Sequence, residues 1–373
     1  MKTKNVIISV LFFSASLILQ SCSKDEVKDI QDSQSSLPSS FRVDIPSSIS
    51  KPADYTAKKS SEITPLSGNI IYEHLTNFIH VGEVSSEIVE EMIHSISAYE
   101  INKAMELSYT SPGDNRDKKL VVVEQSTFEN KVWEFEMIIT DAESETQQDG
   151  GIGLHLYWDR NPVKGIAICK PNNFDRVNND VGQAIFRIDY SEAGELNYDA
   201  HMIVSIVDLP LPDTSAYEDA KYAVKNMKMF AGKKGDIIDV YGNSDHPNAS
   251  FLSEATGFNW AFAASCKESE DISVAEVGLP PSNFDSYDRT KLLEENSIEN
   301  IFKMEIYRVW PTADSTLIDA YLSNTTSPGF FNSHGFIQGG SSPSSSWDEL
   351  ILNIKDLTPY NPKNISEMNI SLK

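Results

Sequence analysis

The sequence predicts a mainly β fold with flanking helices (α+β), built on an antiparallel β-meander that forms a barrel or a sandwich. Three observations point there. Apolar side chains recur at every second position over most of the stretch between residues 133 and 206, the period of a half-buried strand. Turn-rich segments separate these alternating runs, and helical spacing falls mainly in blocks on either side of them. With 373 residues and 40% hydrophobic content, the chain can bury a sizeable core as one large domain or two ordinary ones.

Between Pro65 and Leu107 the apolar spacing predicts a helical pair. One helix runs through Ile71, Leu75, Phe78 and Ile79; the other runs through Ile88, Met92, Ile96 and Tyr99, with Ser85 as its N-cap and Glu87, Glu90 and Glu91 in its first turn. His74, His80 and His94 lie on these helices without a metal-ligand spacing, and no metal site is expected. After the break at Ser111-Pro112-Gly113 the period falls to two. Leu120 to Glu124, the run containing Trp133, Phe135, Met137 and Ile139, that of Ile152, Leu154, Leu156 and Trp158, Val163 to Lys170, that of Phe186, Ile188 and Tyr190, and that from Leu196 to Ile206 make about six strands.

Further along, Ala216, Ala220, Ala223, Val224, Met227 and Phe230 have helix spacing. Asp236 to Tyr241 reads as a strand that ends in the turn Gly242-Asn243-Ser244-Asp245-His246-Pro247-Asn248. Strands are expected at Phe258 to Ala264, Ile272 to Val277, Phe302 to Val309 and Glu349 to Ile354, and helices at Arg289 to Ile298 and at Asp314 to Leu322, the latter capped by Asp314. Leu279-Pro280-Pro281 offers a seam near residue 280, but a single domain over 63–373 is the reading preferred.

The N-terminus is of a different kind. Lys2 and Lys4 precede an apolar run from Val6 to Leu19 that is too short for a stable membrane span of ~20 residues. Leu19-Gln20-Ser21-Cys22 resembles the lipobox of bacterial lipoproteins, and Ser23-Lys24-Asp25-Glu26 resembles the export tag of Bacteroidota-type surface lipoproteins. The resemblance covers only the first 26 residues or so. It implies removal of residues 1–21 as a signal peptide, acylation of Cys22, and anchoring to the outer membrane with the protein exposed at the cell surface. Each buried methylene adds ~0.8 kcal/mol, so two or more chains anchor stably. Residues 22–62, rich in Ser, Asp, Lys and Pro, are expected to be a flexible stalk with a typical span of ~35 Å; the alternation of Phe41, Val43 and Ile45 leaves room there for a small docking strand.

The formal net charge is −24. Such a surface repels phosphodiester backbones, and the absence of a basic run with interleaved aromatics excludes nucleic-acid binding. Besides Cys22 there are Cys169 and Cys266; an exported compartment permits a disulfide between them, and two separate buried thiols are the alternative.

Signatures of the common hydrolases, zinc proteases and nucleotide-binding loops are missing, so no catalytic residue and no cofactor is assigned. Fifty-five acids leave a carboxylate pair for glycoside hydrolysis open, because such a pair has no local signature. Asn243, Asp245 and His246 form the densest polar cluster, a carboxylate beside an imidazole in what reads as a turn after a strand. Trp158, Asp159 and Arg160 set an aromatic plate beside polar groups at a strand end, a combination suited to sugar stacking. Asp141, Glu143 and Glu145 have alternating oxygen spacing but lack the Gly and final acid of a calcium loop, and that motif is rejected. The sequence thus favours a noncatalytic surface module that binds a glycan, a small nutrient or a protein. A surface polysaccharide hydrolase with a carboxylate acid/base pair, or an assembly or adhesion subunit, are the alternatives.

Overall fold

The computed structural model describes residues 37–38, 40–52, 68–96, 101, 103–177, 181–215, 218–252 and 255–372. The leader, Cys22 and much of the expected stalk lie outside the described residues, as does Tyr99.

Among the described residues there are thirteen strands: β1 Met105–Thr110, β2 Asp117–Phe128, β3 Lys131–Asp141, β4 Ile152–Arg160, β5 Val163–Cys169, β6 Ile185–Ser191, β7 Ala200–Val207, β8 Asn226–Lys234, β9 Ile237–His246, β10 Phe258–Lys267, β11 Ile272–Gly278, β12 Gly329–Asn332 and β13 Gly335–Gly339. They form one sheet in which spatial order equals chain order and every neighbouring pair is antiparallel. The meander is therefore as expected, but it is not closed into a barrel: β1 pairs with β2 and β13 with β12, and the two ends do not pair with each other. The β2–β3 hairpin turns at Glu129 and Asn130, both at positive φ (48° and 63°), the geometry of a turn whose twist matches the flanking strands.

One face of this sheet is organised around a single helix, α1 (Gly68–Ser95). The expected pair is one continuous element; Ser85 lies in its middle, and its Oγ donates to the Val81 carbonyl at 2.7 Å instead of capping a terminus. Most of its circumference is buried, including Ile71, Tyr72, Leu75, Ile79, Val89 and the polar His74 and Thr76. Alternate side chains of β2 to β12, from Leu120 and Met137 through Trp158, Phe186, Val204 and Met229 to Trp260, Val277 and Phe331, join it in one core. Contacts follow the helix along its length. Near its start Tyr72 stacks on Phe336 (4.7 Å), and near its end the Cys169 thiol lies 3.2 Å from Met92 Sδ. Between them Gly82 permits close approach to β8, since a Cβ there would sit 2.6 Å from the methyls of both Met227 and Met229.

Residues 40–52, within the expected stalk, belong to this core. Phe41, Val43, Ile45 and Ile49 are buried; the Phe41 N–H donates to Glu90 at 2.8 Å, and its ring lies 5.5 Å from Tyr190. The alternation of Phe41, Val43 and Ile45 buries apolar side chains in extended backbone that joins no strand, and Ile49 follows in a short helix, Ser47–Ser50. Residues on both sides of Pro280-Pro281, such as Val277, Leu279, Ile298 and Phe302, share the same core.

Several assignments change type. Of the helix expected over 216–230, Glu218–Tyr222 is a 3-10 turn and the end, Met227 to Phe230, lies in strand β8, because β7 and β9 offer ladders on both sides and Met227 and Met229 then point at α1. Conversely, the expected strand at 302–309 lies in helix α2 (Ile298–Val309), capped by the Ser297 side chain, and burying Ile298, Ile301, Phe302, Glu305 and Ile306 at helical spacing. Asp314 caps α3 (Ser315–Tyr321), accepting from the Thr316 and Leu317 N–H groups. The expected strand at 349–354 is instead α4 (Asp348–Asn353), and a π-helical stretch, Thr290–Glu295, stands within the expected helix 289–298.

The opposite face of the sheet is crossed by the C-terminal segment. Leu350, Ile354 and Leu357 cover Ala261, Ala263 and Val274. Then α5 (Pro362–Ser366) lies on β8 and β9. Finally Ile370 and Leu372 reach Ile152, Tyr157, Ile166 and Ile168 on β4 and β5. A strap thus runs back across the sheet toward its early strands.

Candidate functional site

The outward face of β7 to β9 carries a row of aromatic side chains. Register places Ile203, Phe230 and Tyr241 side by side on three successive strands, all pointing away from α1 because their neighbours Met202, Met229 and Val240 point toward it. Tyr198, just before β7, lies over Gly232; a Cβ there would meet its ring at 2.7 Å, so glycine makes room for the phenol. Tyr360 arrives from the strap. Ring centroids follow one another at 5.2 Å (Tyr198 to Phe230), 4.7 Å (Phe230 to Tyr241, nearly parallel) and 5.6 Å (Tyr241 to Tyr360). Phe230 is buried, while the three tyrosines are half-buried.

Polar groups interleave with the rings. Asp239 accepts from Ser265 Oγ at 2.7 Å and from the Tyr198 hydroxyl at 2.9 Å. Burial raises its carboxyl pKa, partly offset by those two bonds and reinforced by the charge of Asp356. The Lys228 ammonium stands 4.9 Å over the Tyr360 ring, and no carboxylate pairs with it among the described residues. Burial raises the pKa of all three phenols, so they remain neutral O–H groups. His201 stacks at 5.7 Å on Phe230, and burial lowers its pKa.

The cluster Asn243, Asp245 and His246 is not a turn: β9 extends to His246, with β8 and β10 pairing on either side. Strand alternation splits it. His246 faces the core, donating from Nδ1 to the Tyr222 carbonyl (2.8 Å) and accepting from Ser244 Oγ (2.8 Å), and burial lowers its pKa to about 3. Asn243 and Asp245 face outward and hold the strap. Asn243 Nδ2 donates to the Tyr360 carbonyl at 2.9 Å and its Oδ1 accepts from Asn259; Asp245 accepts from Ser366 Oγ at 2.9 Å. Asn243 thus fixes the backbone of the last aromatic in the row.

Trp158, Asp159 and Arg160 are not brought to this row. Trp158 is buried on the inner face, stacked 5.1 Å from Phe135. Asp159 pairs with Lys131 at 2.6 Å, and Arg160 pairs with Glu134. Cys169 and Cys266 are free, buried thiols on β5 and β10. Burial pushes Cys266 up to about 12. Four strands lie between them in the sheet, and each sulfur has a separate neighbour, Met92 and Ser273 respectively.

Two further polar clusters stand apart from the row, the second around Asp141, an acid of the rejected calcium-loop motif. Ser126 Oγ and His155 Nε2 both bond Glu136 (2.5 and 2.6 Å), while His155 Nδ1 donates to the Leu372 carbonyl. The hydroxyl faces the carboxylate and not the imidazole, so the order differs from the serine–imidazole–carboxylate chain of a hydrolase triad. At the far end of β2 to β5, Arg116, Arg176, Lys118 and Ser144 surround Asp141. Burial opposes its charge, but these partners prevail and hold its pKa at about 2. A groove of about 470 Å³ opens near this end, lined by Gln147, Gln148, Asp149, Lys170, Ile185 and the strap residues Asn369–Leu372. Its charges are mutually paired, Lys170 with Asp149 at 2.6 Å. No group of metal-ligating side chains occurs among the described residues.

No protein-family model matches the chain, and no curated protein or solved structure matches it either.

Proposed function

We propose that this protein is a noncatalytic binding module, tethered to the outer membrane through acylated Cys22, whose ligand lies on the outward aromatic row of β7 to β9. The observation that carries this reading is the row itself: three half-buried tyrosines flanking Phe230, with Asp239 and Lys228 among them. Ligand sites combine apolar ring surface with a few placed polar groups in this way. The inner face supports the reading by exclusion, since α1 and residues 40–52 fill it.

The test of this reading is a binding screen with glycans, small nutrients and peptides, run on the wild type and on Tyr198→Leu. Retention of a ligand by the wild type and its loss in the variant is the expected result; a ligand held equally by both would move the site elsewhere. The anchor is tested separately, by radiolabelled palmitate entering the wild-type product and not Cys22→Ala.

A second reading is favoured by one observation. Burial raises the pKa of Asp239, and Asp356 stands near enough to reinforce the rise; glycoside hydrolysis uses two carboxyl groups, one of them raised. Turnover of a glycan by the wild type, abolished in Asp239→Asn, would establish the hydrolase in place of the binding module.

A further inference from the structure

We infer that the ligand of the aromatic row is a neutral, linear oligosaccharide of at least three pyranose units, lying along the β8–β9 ladder. This rests on the binding reading above and narrows it to one chemical class.

A pyranose is amphiphilic in a particular way: its C–H face is flat and apolar, and its rim carries hydroxyls that both donate and accept. The row has the complementary arrangement. Ring surfaces of Tyr198, Tyr241 and Tyr360 are partly exposed, and around them stand an acceptor with two donors already on it (Asp239 with Ser265 and Tyr198), a cation (Lys228) and neutral phenolic hydroxyls. Hydroxyls meeting this mixed set find a donor or acceptor at each step.

Other ligand classes fit less well. An acyl chain or an apolar protein face would cover the rings but strip water from Asp239 and Lys228 without replacing its hydrogen bonds. A polyanionic chain would meet Asp239 with Asp356 in its field, on a protein of net charge −24. Those charges select a neutral sugar.

The length follows from spacing. Successive centroids 5.2, 4.7 and 5.6 Å apart span four rings, more than a single pyranose covers. The direction follows from register: Tyr198 lies over Gly232, Phe230 pairs with Tyr241, and Tyr360 stands by Lys228 and Asn243, so the row steps along the β8–β9 ladder at successive outward positions. The end of the row is fixed by the Asn243 bond to the Tyr360 carbonyl.

Calorimetric titration of the full chain tests this, with gluco-, manno- and galacto-oligosaccharides of three to six units, the matching monosaccharides, and trigalacturonate as the polyanion. The expected result is binding of at least one neutral series, tightening tenfold or more from one unit to three, and weakened tenfold or more in Tyr198→Leu and Tyr360→Leu. Leucine keeps apolar volume while removing the ring face and the hydroxyl. A readout on the wild type alone guards against a variant that folds poorly: the neutral ligand should perturb tyrosine absorption in a difference spectrum. The inference is overturned if no neutral series binds, if monosaccharide and trisaccharide bind alike, or if trigalacturonate binds more tightly than the neutral trimers. A peptide or small nutrient that binds the wild type and is lost in Tyr198→Leu would overturn the oligosaccharide and leave the binding row standing. Failure of every probe to depend on Tyr198 would remove both.

Discussion

Trp260 and Tyr241 sit on adjacent, paired strands of one sheet, yet they do opposite things. Trp260 points inward, fully buried, its ring edge-on to Phe78 at 5.4 Å and its indole N–H 3.4 Å from the Ile71 carbonyl of α1. Tyr241 points outward, half-buried, between Phe230 and a ring delivered by the strap. The inner face commits its aromatic surface to a dry core that encloses a helix. The outer face leaves part of that surface in contact with water, beside groups that can form hydrogen bonds. The water-facing aromatic surface is therefore on the outside of the sheet, the reverse of a barrel with an open interior.

Substitutions separate the two faces. The largest loss of stability is expected from Trp260→Ala, about 3 to 5 kcal/mol for truncating a large buried side chain, measured by denaturant unfolding, with ligand affinity unchanged where the variant is still folded. Acid comes next. Burial lowers the pKa of His74 and His246 to about 4 and about 3. Both stay neutral in the fold while the unfolded chain takes up protons near pH 6.5. Their contribution is complete above that pH and declines as pH falls toward 4 and then 3, by a few kcal/mol in all on an order-of-magnitude basis. His246→Gln should about halve the slope of the histidine-linked decline down to pH 4 and remove it between pH 4 and pH 3; an unaltered profile would contradict the buried neutral imidazole. Asp141, held at about 2, contributes in a lower window, from about pH 4 downward, worth roughly 2 kcal/mol at neutral pH.

Asn243→Ala should cost about 1 to 3 kcal/mol, because it leaves the Tyr360 carbonyl and the Asn259 amide without their partner. It should also weaken ligand binding by loosening Tyr360. Tyr198→Leu is milder for stability, about 1 to 2 kcal/mol for the hydrogen bond its hydroxyl gives the Asp239 carboxylate, with the tenfold or greater loss of affinity given above. If Tyr198→Leu lost stability and kept affinity, the division between faces would be drawn in the wrong place.

Much of this architecture was legible in the alternation. Phe135, Met137 and Ile139, then Leu154 and Leu156, then Ile188, Val204 and Ile206 all face α1 as their period requires. Two segments were misread for one physical reason: short apolar runs fit both periods. Phe302, Met304 and Ile306 alternate, yet Ile298, Ile301, Phe302 and Ile306 also make a helical stripe, and the Ser297 cap decides between them. Ala220, Ala223 and Met227 fit a helix, but flanking ladders draw the chain into β8 from Asn226 onward. The stalk misled because Ser and Pro surround Phe41, Val43 and Ile45 and make the segment polar as a whole, whereas burial depends on where those three side chains land.

The aromatic row could not be read from sequence. Its members Tyr198, Phe230, Tyr241 and Tyr360 come from four separate segments, and only the register of β7 to β9 and the path of the strap bring them together. Asn243 and Asp245 were visible as polar residues but not in their role, since reading them as a turn hid the alternation that sends them outward and His246 inward.

Oxidative footprinting of the free wild-type protein tests the contrast between faces most directly. Rapid labelling of Tyr198, Tyr241 and Tyr360, with Trp158, Trp260, Met227 and Met229 labelled slowly or not at all, is the predicted pattern. Labelling of Trp260 and Met229 as fast as that of the three tyrosines would mean that the inner face is open to solvent, and would contradict the account.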